Sequence, residues 1–352
     1  MTYRAIATLV SLAVLCACGN SQTSPTIVPP PTPAANTLFV FSPDRDAELA
    51  TYPASAKGSS TPSSVLDGSK TLFDGLKKDS IFGGGISIEV DGTIYVLDAM
   101  RARVLTFAPA SRGNTAPLLV ERLPQNDGVS LHVPQYAGFA LDNNGGFWTV
   151  DRSNGNIDRF PLGVGGRVKA TTTFKPSVLE GHQFVPGVAS TVASDGMGNI
   201  YCICQPDDLV LQLYCITKYD VTGSKPKLVS SIYGILGNLD TQIPSTVMHV
   251  DPRTKIVYVG IWTPTAVLEY PADAPSGQAR MTKYISGPRT TLDTVPAAIT
   301  TDATGAVYVA QREGILVFGP SASGNVKPTR TISDPNHLHF LGDAYGDLLA
   351  IQ

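Results

Sequence analysis

The chain alternates short apolar runs with clusters of Gly, Pro, Asn, Asp and Ser, and the runs are four to eight residues long and rich in Val, Ile, Tyr and Phe. That pattern predicts β-strands with frequent tight turns and no long amphipathic helix. One unit returns through most of the sequence. An Asp, usually followed within a few residues by Gly, leads into an aromatic or β-branched strand, in copies starting at Asp91, Asp142, Asp195, Asp251, Asp302 and Asp343. The intervals between copies are 51, 53, 56, 51 and 41 residues, which makes the sequence an array of like units. A period of this size with about four short strands per unit predicts a β-propeller.

Each Asp is preceded by a small or apolar stretch: GGGISIEVD, YAGFALD, VASTVASD, STVMHVD, PAAITTD and LHFLGD. These are the expected innermost strands, where Gly and Ala allow blades to approach closely. The Asp then forms the turn, bonding its own backbone. A second motif supplies the outer half of each blade: a strand ending on an aromatic, a Pro-Ser-Gly turn and a polar edge strand ending in Pro, as in RVLTFAPASRGNTAP and ILVFGPSASGNVKP. Pro and Lys there suit an edge that must not pair with other molecules. The outer series begins near Glu48, half a repeat ahead of the inner one, so the C-terminal strands are expected to join the N-terminal ones in a composite blade. Thr37–Phe41 and Leu348–Ile351 compete for the second-strand place in that blade. The expectation is an all-β chain with six four-stranded antiparallel blades, seven being the alternative.

At 352 residues and 43% hydrophobic, the chain can bury a large core. Its net charge of −3 and the absence of a Lys/Arg run argue against nucleic acid as a partner. Residues 1–17 carry one Arg, then an apolar run and small residues, as a secretory signal does. Leu15-Cys16-Ala17-Cys18-Gly19 resembles a bacterial lipobox, which implies acylation of Cys18 and anchoring in the cell envelope, at the outer membrane in a Gram-negative host. Residues 18–36, rich in Pro, Ser and Thr, read as an extended tether reaching up to roughly 55 Å. Residues 37–352 are then the propeller domain.

The period, the D-x-x-G-x-[IV]-Y-V strand and the turn Phe318-Gly-Pro-Ser-Ala-Ser-Gly-Asn-Val-Lys-Pro resemble NHL-type six-bladed propellers, in particular their bacterial lipoprotein versions. The resemblance speaks for fold and leaves activity open, since such propellers include lyases, lactonases and binding proteins. The His trio of the peptide-cleaving lyases has no counterpart here: the places five residues before the repeated Asp hold no His, and His249 and His339 lie on inner strands out of that register. Lactonase-like members centre a divalent cation on acidic and amide groups, for which Glu89, Asn126, Asp127, Glu180, Asp240 and Asp293 are available without forming a motif. No cofactor is expected, with Ca²⁺ or Zn²⁺ as the alternative.

Superposing the repeats sets Cys204 on Asp98 and Cys215 on Arg103, across a hairpin, which predicts a Cys204–Cys215 disulfide in an oxidising compartment, with Cys202 the odd thiol and its exchange with Cys204 open. The long loops before the inner strands are expected to converge at one mouth of the channel. They carry His132, Tyr136, His182, Phe184, Arg289 and His337, a mixed aromatic and polar set suited to a small molecule, a saccharide or a protein ligand. The leading reading is a membrane-tethered, non-catalytic binding or scaffold module. The runner-up is a metal-dependent hydrolase or lyase working at that mouth.

Overall fold

In the computed structural model, residues 36–42, 47–73, 85–125, 135–142, 144–180, 183–206, 214–234, 247–261, 264–312, 314–340 and 348–352 are described. They form six antiparallel sheets, each hydrogen-bonded from an innermost strand outwards, and together a six-bladed β-propeller. Blade II contains Gly85–Ile88, Ile94–Asp98, Arg103–Phe107 and Leu119–Arg122. Blade III contains Tyr136–Leu141, Gly146–Asp151, Asn156–Pro161 and Thr172–Phe174. Blade IV contains Gln183–Ser194, Asn199–Pro206, Cys215–Asp220 and Lys227–Tyr233, with Ser177–Glu180 added beside the start of its inner strand. Blade V runs through Val247–Asp251, Ile256–Ile261, Ala266–Pro271 and Lys283–Ser286, and blade VI through Ala298–Thr301, Val307–Gln311, Gly314–Phe318 and Arg330–Ser333.

Blade I is the composite one. Its inner strand is Leu349–Ile351, hydrogen-bonded to Thr37–Ser42, which is followed by Glu48–Pro53 and Ser64–Leu66. The competition between the two chain ends is thereby resolved: Thr37–Ser42 is the second strand and the C-terminus is the innermost one. Leu338–Phe340, expected as an inner strand, has no strand conformation, and its Leu338 and Phe340 are buried in the core instead. A six-residue strand with five buried positions outcompetes a three-residue strand for the doubly flanked place. Backbone bonds from Asn36 to the Gln352 carbonyl and from Gln352 to the Thr37 carbonyl lock the seam.

The core lies between blades. Phe41, Phe73 and Phe107 pack against one another in sequence where blades I and II meet, with centroids 5.4 and 5.5 Å apart. Tyr136, Phe147 and Phe160 do the same between blades II and III. Each such buried side chain contributes about 1.5–3 kcal/mol. At Gly138 the inner strands come so close that a Cβ would lie 2.5 Å from the Val192 backbone nitrogen, and its φ of +70° also excludes most side chains.

Four of the repeated Asp residues act as expected, and Asp343 lies outside the described residues. The Oδ1 atoms of Asp142, Asp195, Asp251 and Asp302 each accept the backbone N–H two residues on, at 2.8–2.9 Å. Blade II departs from the alignment made on sequence. Its turn-closing bond runs from Glu89 N to the Thr93 carbonyl, matching Asp302 N to the Ala306 carbonyl, so Glu89 and not Asp91 holds the repeat's Asp place.

The Pro-Ser-Gly turns form a belt between neighbours. Gly58–Ser59, Gly166–Arg167 and Gly277–Gln278 lie parallel to the outer strands of the preceding blades. Gly113 and Gly324 make single bridges of the same kind to Leu66 and Ile285. The outer edges are therefore covered by the next blade's own turn at five junctions, besides carrying Pro and Lys.

Candidate functional site

Six inner strands surround a cavity of about 550 Å³ on the propeller axis. It lies toward the end of the channel where the inner strands finish and the Asp turns begin, since Glu89, Val90, Asp142, Gly145, Ser194 and Gly196 form its rim. The sequence had pointed to the opposite end. Side chains of an inner strand alternate between the two neighbouring blades. Each inner strand also turns a backbone edge to the axis, because it is the last strand of its blade along the stretch that lines the cavity.

One level of this wall repeats six times. Ser87, Ala140, Ala193, His249, Thr300 and Ala350 all line the cavity. Each stands opposite an aromatic on the second strand: Tyr95, Trp148, Tyr201, Tyr258, Tyr308 and Phe39 respectively. Five of the six are small, and that is why the channel is open at this height. His249 is the exception.

His249 is held by the next blade. Its Nε2 is 3.0 Å from the Thr301 hydroxyl oxygen, which is 3.0 Å from Asp251 Oδ2. The Asp251 carboxylate only accepts, so the Thr301 hydroxyl donates to it. That spends the hydroxyl's proton and makes Nε2–H the donor to Thr301, which leaves Nδ1 as the acceptor of the ring. Burial lowers the His249 pKa to about 4, the Asp251 charge opposing and Arg253 assisting, so the imidazole is neutral at neutral pH. Burial works against the charge of Asp251, but the backbone N–H and guanidinium of Arg253 and the Thr301 hydroxyl outweigh it and keep its pKa below the usual carboxylate value. Arg253 also donates to the Asp302 carbonyl at 2.5 Å, tying blades V and VI together.

The two acids of the cavity differ. Asp142 is engaged by Arg159 Nε at 2.5 Å and by the amides of Asn144 and Gly146. Glu89 is hydrogen-bonded to Tyr95, whose pKa rises to about 12, first through burial and then through the charges of Glu89 and Asp91. Among the described residues, no Lys or Arg lines the cavity.

The described members of the sequence-predicted set lie apart from this cavity. Tyr136 is buried, packs on Phe160 and donates to the Pro124 carbonyl at 2.9 Å, as a core residue does. Phe184 is 49% exposed, in the hairpin with Ser177–Glu180. Arg289 is exposed in the 3₁₀ turn Pro288–Thr290, and its backbone N–H bonds to Asn325. His337 Nδ1 is 2.8 Å from Glu48 Oε1 on the connection into blade I, and burial raises the Glu48 pKa against the pull of His337. None of these four lines the cavity. His132 and His182, like Cys18, lie outside the described residues.

The cysteine expectation is half met. Cys204 does stand directly opposite Cys215, as Asp98 stands opposite Arg103. The disulfide, however, joins Cys202 to Cys204, with Cα atoms 5.8 Å apart. Residues two apart on a strand project from the same face, which brings these two sulfurs together. The Cys215 Sγ turns instead toward the Leu179 carbonyl, 3.8 Å away, so Cys215 and not Cys202 stays outside the bond.

No protein-family model and no curated protein matches the chain in sequence. Solved structures do match. The periplasmic gluconolactonase of Pseudomonas aeruginosa superposes with a TM-score of 0.50 at 11% identity, over 84% of this chain and 96% of that one. A protein of unknown function from Bacteroides caccae gives a TM-score of 0.51 at 8% identity, over 89% and 98%. The likeness is one of fold. Among the described residues, no three His, Cys, Asp or Glu side chains converge to hold a metal ion.

Proposed function

We propose that the protein is a lipid-anchored module of the bacterial cell envelope that binds a small molecule in its propeller channel without turning it over. The axial cavity carries this reading. Its wall opens through five small residues, and its volume falls within the range of small-molecule sites. The NHL-type repeat pattern and the lipobox-like LCAC segment support an envelope role, with Cys18 as the acylated residue and residues 19–36 as the tether.

The non-catalytic part rests on the hydrogen-bond directions. A nucleophilic hydroxyl must give its proton to a base. His249 Nε2–H donates to Thr301, so the imidazole is not placed as the base for that hydroxyl, and Thr301, whose own proton points to Asp251, does not line the cavity. A lactone hydrolase is the second reading, prompted by the named activity of the Pseudomonas aeruginosa neighbour and by the neutral imidazole on the cavity wall. It predicts hydrolysis of glucono-1,5-lactone that disappears in His249→Phe, whereas the binding reading predicts no rate above buffer.

Anchoring is tested by fractionating cells that express the full chain. The wild type should appear in the membrane fraction with an acylated Cys18 by mass spectrometry, and Cys18→Ala should be released. A Cys18→Ala chain that stays membrane-bound would remove the lipid from the account.

A further inference from the structure

A six-fold repeat offers an internal control: where most blades use one kind of residue at a place, a departure in another calls for a separate cause. Two departures face the same cavity. His249 stands in a ring whose other members are Ser, Ala or Thr. Glu89 holds the place that Asp142, Asp195, Asp251 and Asp302 use to accept the amide two residues on. In blade II that amide-accepting task passes to Asp91, whose Oδ1 accepts from Thr93 N at 2.8 Å. The Glu89 carboxylate is thus not committed to its own turn, and it lies at the rim of the cavity beside Tyr95.

The chemistry of these groups narrows the ligand. His249 brings a ring acceptor, since the chain through Thr301 to Asp251 fixes the proton on Nε2. Glu89 brings carboxylate acceptors, and Ser87 and Thr300 bring hydroxyls. The inner backbone edges add both N–H donors and carbonyl acceptors. Hydroxyl groups suit such a wall because each donates and accepts at once. Anions do not suit it: the Glu89 carboxylate stands at its rim, Asp142 is already paired with Arg159, and no Lys or Arg among the described residues lines it.

We propose that the channel cavity recognises an uncharged, polyhydroxylated molecule of monosaccharide to disaccharide size, with one hydroxyl donated to Nδ1 of His249 and others to the carboxylate of Glu89. This deepens the reading of the protein as a ligand-binding module and rests on it. The assignment separates this site from one for phosphorylated or carboxylated sugars, which would bring a negative charge to an acidic rim.

The test is saturation-transfer NMR and calorimetry on the full-length acylated protein in detergent. The probes are glucose, galactose, mannose, arabinose, sucrose and maltose, with gluconate and glucose 6-phosphate as anionic counterparts and phenol as an apolar probe of the channel. At least one neutral sugar should bind, at least tenfold more tightly than glucose 6-phosphate, and lose at least tenfold in affinity in His249→Phe and in Glu89→Gln. Thr301→Val keeps the imidazole but frees its tautomer, so it should weaken sugar binding and shift the ¹⁵N signals of His249 while circular dichroism stays unchanged. Binding of phenol without any neutral sugar, equal sugar affinity in His249→Phe, or preference for an anionic probe each overturns the inference and leaves the channel a ligand site. Failure of every probe, phenol included, overturns the binding-module reading as well.

Discussion

His249 carries a pH signature that follows from its burial. An unfolded chain protonates this imidazole near pH 6.5, the folded one only near pH 4. Between those values the unfolded state binds more protons, so stability rises with pH there, is fully present above about pH 6.5 and is lost as pH falls through about 4. Glu48, Asp98, Asp158 and Glu269, all pushed upward by burial, slope the other way, so the comparison must be made against a variant. The Tm of the wild type should fall by several degrees more than that of His249→Phe between pH 6.5 and 4.5. Parallel curves would mean that His249 titrates normally in the fold. Sequence reasoning saw His249 on an inner strand but had no means of seeing that five equivalent residues are small. That needed the register of six hairpins, and for the same reason the sequence offered Glu89 as an acidic group without showing that it holds the repeat's Asp place.

At the scale of elements, the Pro-Ser-Gly turn is a latch. Twice it adds an Asn that caps the 3₁₀ turn of the preceding blade: Asn114 Oδ1 accepts from Lys70 N and Asn325 Oδ1 from Arg289 N, both at 2.7 Å. The same turns carry the bridges Gly113 to Leu66 and Gly324 to Ile285. Asn114→Ala and Asn325→Ala should each cost about 1 kcal/mol, the usual net worth of a hydrogen bond to backbone. The two sites belong to different junctions and share no partner, so urea denaturation should show the double variant close to the sum. An effect under a few tenths of a kcal/mol in both would mean that the parallel bridges alone hold the belt. The sequence announces the turn by composition, whereas its partner in the neighbouring blade comes only from the assembled ring.

For the whole molecule, closure depends on four C-terminal residues. Leu349–Ile351 completes blade I, and the Gln352 side chain donates to the Glu89 and Val90 carbonyls on blade II. Ending the chain at Leu348 should expose the edge of Thr37–Ser42 to pairing with other molecules, which is what an open edge invites. The expected outcome is a Tm at least 10 °C lower and association on size exclusion, while a monomer with unchanged Tm would show that closure is dispensable. The chain's own pattern determined most of the strands, the turns that Asp and Gly make, the propeller architecture and the joining of its two ends, because all of these follow from local periodicity and backbone chemistry. Which terminal strand lies innermost, which two of three cysteines bond, where the channel opens and which residues face it were decided by packing between blades. Those relations link residues dozens of positions apart, and spacing along a chain carries no information about which face of a neighbouring sheet a side chain meets.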